Sequence, residues 1–139
     1  MTSDNKNGCG CSCGSEKKVT LVFPCSGASN VGQITNELAL RMTREGSGAM
    51  SCLAGVGAHI SGFEVSARDC DQLVVLDGCP QMCAAKVFEH VGIKPHVHLL
   101  LSDYDFKKRQ GAPVSPEEVE RALTLVLSKM KAAECSTAS

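Results

Sequence analysis

Tryptophan does not occur in this chain, and Phe and Tyr bring the aromatic share to only 4%. A surface that holds single-stranded nucleic acid by stacking its bases needs exposed rings, so this composition argues against that class. Net charge is missing too. The 14 basic and 15 acidic side chains leave a formal −1, which gives a polyanion nothing to grip. No apolar run approaches the roughly 18 residues of a membrane span. The opening stretch, "MTSDNKNGCGCSCG", has neither the basic region nor the following apolar region of a secretory signal. These absences lead us to expect a cytoplasmic protein without nucleic-acid or membrane partners, in a compartment that keeps thiols reduced.

What the chain does have is cysteine, nine of them in 139 residues. In a secreted chain that number would suggest a disulfide scaffold, but it is odd and no export signal accompanies it. In a reducing compartment the better expectation is metal binding or thiol chemistry. The length fits one domain with a single core that needs no covalent staples.

Residues 1–16 are rich in Gly, Ser, Asn and Cys and show no hydrophobic period, so they read as a flexible cysteine-rich arm. Residues 17–133 carry the domain, and 134–139 read as a disordered tail. "VTLVFP" at 19–24 is a short apolar run of the kind a strand covered on both faces shows. A helix comes next, with Asn30 and Gln33 able to form a capping box, an apolar stripe of Val31, Ile34, Leu38 and Met42, and Gly46 as its stop. Residues 48–63 predict a short strand ending near Cys52, a glycine-rich turn, and a short helix carrying Ile60, Phe63 and Ala67. "LVVL" at 73–76 is a strand. Pro80 suits the first position of a helix that buries Val87, Phe88 and Val91 and ends at Gly92. "HVHLLL" at 96–101 is another strand. The last helix opens with Ser115, Pro116, Glu117 and Glu118, a capping box with proline first, and its stripe is Val119, Ala122, Leu123, Val126, Leu127 and Met130. Strands alternating with helices across short connections predict a three-layer α/β domain. Its sheet should be small and mostly parallel, with about four strands and helices on both faces.

Cys25, Cys52 and Cys79 each follow a strand and precede a helix. In a parallel sheet all strand C-termini lie on one edge, so these three thiols can converge where open α/β sheets bind their ligands. If the helix begins at Pro80, Cys83 lies one turn beyond Cys79 on the same face and leans back over it. Four thiolates on Zn²⁺ leave a net formal charge of about −2, which helix N-termini near Asn30 and Pro80 would offset. The pattern therefore predicts a metal site of Cys25, Cys52, Cys79 and Cys83. Spacing alone leaves open zinc, an iron–sulfur cluster or another soft metal.

"PCSGASNVGQ" at 24–33, "CLAGVGA" at 52–58 and "LDGCPQMCA" at 76–84 resemble the signatures of DGC-domain proteins, a family named for its central Asp-Gly-Cys and described as zinc-binding. The resemblance spans roughly residues 19 to 130. It implies the same four candidate chelators, Cys25, Cys52, Cys79 and Cys83, and leaves the biochemical role unassigned.

Other residues invite weaker readings. Asp77 is either a partner or general base at the site, or a turn residue with Gly78. Gly27, Gly32, Ser26 and Ser29 could line an anion-binding loop, but no P-loop Lys-Ser/Thr accompanies them, so a tight strand-to-helix turn is the better reading. A low-molecular-weight phosphatase would need Arg at position 31, which is Val. His96 and His98 sit at the start of their strand and read as packed or surface histidines. Residues Asp103, Tyr104, Asp105, Lys107, Lys108 and Arg109 lie past a strand C-terminus and are the best place for a substrate contact or lid, against a solvated loop. Cys9, Cys11 and Cys13 could hold soft metal more weakly than the core, because ordering a mobile segment costs entropy. Cys70 and Cys135 read as non-functional.

The residues support two function classes. The first is a zinc-binding protein with a structural, sensing or carrier role. The second is a thiol redox or sulfur-transfer enzyme, with Cys79 or Cys25 as nucleophile and Cys83 as resolving thiol.

Overall fold

The computed structural model describes residues 17–137. The arm and its Cys9, Cys11 and Cys13 lie outside the described residues. Four strands form one sheet: β1 (Thr20–Pro24), β2 (Ala49–Met50), β3 (Gln72–Asp77) and β4 (Val97–Leu100). Their order is β2-β1-β3-β4, and every pairing is parallel. The helices are α1 (Asn30–Glu45), α2 (Leu53–Gly57), α3 (Ser61–Asp69), α4 (Cys83–Val91) and α5 (Pro116–Thr137). None of the helices among the described residues is long and apolar enough to cross a membrane.

Burial explains the layers. Every residue of β3 is buried, as a central parallel strand requires, and its side chains alternate between two cores. On one face Val74 and Leu76 pack with Val22 and Leu99 against Ile34 and Leu38 of α1 and Ala122 and Val126 of α5. On the other, Leu73 and Val75 pack with Phe23 against Val56 of α2, Ala67 of α3 and Phe88 of α4. The result is the expected three-layer α/β domain with a four-stranded parallel sheet.

Several local expectations shift. Ser29, not Asn30, caps α1, its Oγ accepting from the N–H of Gly32 at 3.3 Å. The glycine-rich segment after Cys52 is helical as α2, and Ile60 is the exposed cap of α3, at 52% exposure, not a core residue. Gly55 makes that packing possible, since a Cβ there would sit 2.4 Å from the Phe63 ring. The capping box at Ser115 forms as read, with Ser115 N–H donating to Glu118 Oε2 at 3.0 Å and Glu118 N–H to Ser115 Oγ at 3.2 Å. Leu127 falls off the buried stripe of α5, and residues 134–137, read as tail, continue that helix.

The face built on α2, α3 and α4 has an aromatic centre. Phe23 and Phe88 meet edge to face with centroids 5.0 Å apart, and both are fully buried. Truncating a buried phenylalanine removes the transfer energy of the ring and leaves a cavity. Phe88→Ala should therefore lower the unfolding free energy by about 3–5 kcal/mol, read by chemical denaturation.

Candidate functional site

In this sheet the chain leaves β1 toward β2 on one side and returns to β3 on the other. The connections diverge above β1 and β3, and a crevice outside the C-terminal ends of these two strands is where such folds take ligands. Cys25 directly follows β1, Cys52 lies two residues past β2, and Cys79 two residues past β3. All three thus stand at the same edge, as their places between strands and helices suggested. A cavity of about 160 Å³ occupies the crevice, and Cys25, Cys79, Cys83 and Lys108 are among its lining residues. Cys52 stands at the neighbouring strand end and does not line it.

The loop that carries Cys79 differs from the expectation. Helix α4 begins at Cys83, not Pro80, and Met82 before it has a left-handed backbone with φ 50°. Met82 N–H donates to Cys79 C=O at 3.0 Å, closing a turn with Pro80 at its second position, a place proline's fixed φ favours. Cys79 and Cys83 are therefore not stacked on one helical face. Cys79 belongs to the turn, and Cys83 is the first helical residue.

Asp77 determines where that helix starts. It is 1% exposed, and its Oδ1 accepts from the N–H of Ala84 at 2.8 Å while Oδ2 accepts from the N–H of Ala85 at 3.0 Å. His98 Nε2 lies 2.9 Å from Oδ2 and donates to it, since a carboxylate can only accept. Asp77 thus caps α4 from inside the sheet, satisfying N–H groups that a helix start leaves unpaired. It is neither a simple turn residue nor a free base. His98 is half-buried as its partner, and His96 accepts the N–H of Leu73 at Nδ1, 2.8 Å away.

The opposite wall is backbone. A Cβ on Gly32 would sit 2.5 Å from Gly27 N, and one on Gly78 would sit 2.6 Å from the carbonyl carbon of Val31. The loop after β1 therefore folds back on the first turn of α1 at Gly32, and the loop after β3 packs main chain to main chain on that same turn at Gly78, contacts that glycine alone permits.

The segment read as a lid is docked. Leu101–Tyr104 form a 3-10 turn, and buried Asn30 clamps residues 107–109 beyond it. Asn30 Nδ2 donates to Lys107 C=O at 2.9 Å, Asn30 Oδ1 accepts from Arg109 N–H at 2.5 Å, and Asn30 N–H donates to Arg109 C=O at 2.9 Å. This holds Lys108 over the cavity, with Nζ 3.7 Å from Cys79 Sγ. Cys25 Sγ lies 3.5 Å from Thr35 Oγ1. Reading the sequence missed the role of Asn30. Its only local signal is a polar residue at the first position of a helix already capped by Ser29.

The other thiols differ in kind. Cys70 is buried, with Sγ 3.3 Å from Ala67 C=O, and burial pushes its thiol pKa up, which keeps it a neutral core residue. Cys135 is exposed on α5, far along the chain from the crevice.

For a metal, the donors at the crevice are chemically suitable: three thiols around one small cavity, with a lysine to offset anionic charge. Among the described residues, however, no three His, Cys, Asp or Glu side chains are already drawn together as a metal-binding group. The loops supply the donors without presenting a closed shell.

The chain matches the DGC domain over residues 21–126. It is 41% identical over 101 residues to the anaerobic and virulence modulator AnvM of Pseudomonas aeruginosa, an overlap covering 73% of this chain and 77% of that protein. No solved structure matches it.

Two substitutions test the scaffold of the crevice. Asp77→Ala leaves two helix N–H groups and a histidine without their acceptor and should cost about 2–4 kcal/mol in chemical denaturation. Asn30→Ala should speed amide hydrogen exchange selectively across residues 107–110, because it releases both side-chain ties to that loop.

Proposed function

The chain belongs to the DGC-domain family, and we propose that it is a cytoplasmic thiolate metal-binding protein whose principal ion is Zn²⁺. Cys25, Cys79 and Cys83 would be its donors from the crevice, with Cys52 as the fourth from the adjacent strand end. The observation that carries this reading is the cavity between the loops after β1 and β3, lined by three of the four cysteines. Asp77 fixes the helix start that carries Cys83, and Asn30 fixes the segment that carries Lys108, while Cys70 and Cys135 do not line the cavity. Bound there, Zn²⁺ would cross-link the two loops and offset thiolate charge. Such a thiolate site suits a structural, sensing or carrier role. A modulatory role also agrees with the name of the Pseudomonas relative.

Metal analysis of the full chain purified without added metal tests this reading. We expect stoichiometric zinc, lost in Cys25→Ser and Cys79→Ser and retained in Cys70→Ser and Cys135→Ser. Metal-free protein with freely titrating thiols and no stabilisation by added Zn²⁺ would contradict it.

A second reading, a thiol enzyme, draws support from one contact. Lys108 Nζ beside Cys79 Sγ is placed to pair with a thiolate, and Cys83 stands at the start of α4 as a candidate resolving thiol. Alkylation of reduced protein across pH separates the two. A single thiol reacting far ahead of the rest favours the enzyme, and uniformly slow, metal-protected thiols favour the metal site.

A further inference from the structure

The face formed by α2, α3 and α4 brings together two imidazole rings that do not line the crevice. His59 follows the end of α2, and His90 lies in the last turn of α4. Their Nε2 atoms are 3.3 Å apart, and the ring centroids are 5.3 Å apart at an interplanar angle of 68°. Two imidazoles bound through Nε2 to one tetrahedral Zn²⁺ would hold these nitrogens about 3.4 Å apart and the ring centres about 5.2 Å apart. The two rings share a hydrogen bond at this distance, and one ion in place of its proton would hold them at nearly the same separation.

The tautomer also fits. His59 Nδ1 is 2.9 Å from Glu64 Oε1. The carboxylate accepts only, so Nδ1 carries a proton, and Nε2 is the ring nitrogen left to face His90 as a donor to a metal. A carboxylate on the far nitrogen is the usual arrangement that orients a metal-ligating histidine and makes it a better donor. The C-terminal end of α4 adds partial negative charge beside His90, which favours a cation there.

The backbone at His59 points the same way. The residue is left-handed, with φ 59°, in the turn where His59 N–H reaches Val56 C=O and Ile60 N–H reaches Gly55 C=O. Glycine fills such a position without strain, whereas a histidine there costs conformational energy. The strained residue is the one whose ring meets His90.

We propose that His59 and His90 form a solvent-accessible bis-imidazole site for a borderline divalent cation such as Ni²⁺ or Zn²⁺, oriented by Glu64 and completed by water. It is independent of the cysteine site, differing in donor type and in location. Its mixed preference follows from imidazole, which suits Zn²⁺, Ni²⁺ and Cu²⁺, while thiolates select softer ions.

Titration of the untagged full chain with Ni²⁺, followed by NMR of the histidine ring protons, tests this site directly. Ni²⁺ should broaden His59 and His90 together and leave His96 and His98 sharp. His90→Ala should weaken that binding at least tenfold, and so should His59→Asn, which keeps a residue tolerant of the left-handed backbone. Glu64→Gln keeps both ligands but loses the orienting charge, and should weaken binding about tenfold, within the range for such outer partners. Equal broadening of all four histidines, no broadening at His59 and His90, or unchanged binding in His90→Ala would each overturn the proposal.

Discussion

A single buried carboxylate at the centre of the sheet edge governs this molecule. Asp77 ends β3, binds two backbone N–H groups of α4 and takes the hydrogen bond of His98 from β4. Three hydrogen bonds converge on this one buried side chain, which ties the start of α4 to the ends of β3 and β4. Because α4 must begin where Asp77 can reach, residues 78–82 have no option but a tight turn. That turn carries Cys79 to the mouth of the crevice and leaves Cys83 at the helix start.

The crevice follows from topology together with two close backbone contacts. The reversal of strand order beside β1 opens a gap that any such sheet would have. Gly78 narrows it by letting the loop after β3 meet the backbone of the first turn of α1, and Gly32 lets the loop after β1 fold back on that turn. Asn30 then draws the segment after β4 across it, bringing a lysine against a thiol. A generic opening becomes a small, sulfur-lined cavity with one cation beside it.

Much of this was legible in the sequence because it depends on periodicity and short-range chemistry. The fully apolar "LVVL" predicted a strand, and the stripe Val31, Ile34, Leu38 and Met42 predicted the buried face of α1, all four of which are fully buried. The placement of Cys25, Cys52 and Cys79 at one edge followed from strand–helix alternation alone. What escaped were effects in which a distant partner overrides a local signal. Pro80 is equally at home at a helix start or in a turn, and only Asp77, through Ala84 and Ala85, decides for the turn. Asn30 looked like a cap because its other partners lie almost eighty residues away. The segment around Gly55 looked too flexible for a helix until the ring of Phe63 filled the space its missing side chain leaves. Leu127 and Ile60 matched helical stripes, yet each lies beyond the surface its helix buries.

The two candidate ligand groups divide by element: sulfur at the sheet edge, nitrogen on the helical face opposite α1 and α5. The cysteines of the sheet edge are the proposed principal metal site. X-ray absorption at the zinc edge on the full chain loaded with one equivalent of Zn²⁺ tests it most directly. The account predicts an inner shell dominated by sulfur at about 2.3 Å, and a shell of nitrogen and oxygen at about 2.0–2.1 Å would contradict it.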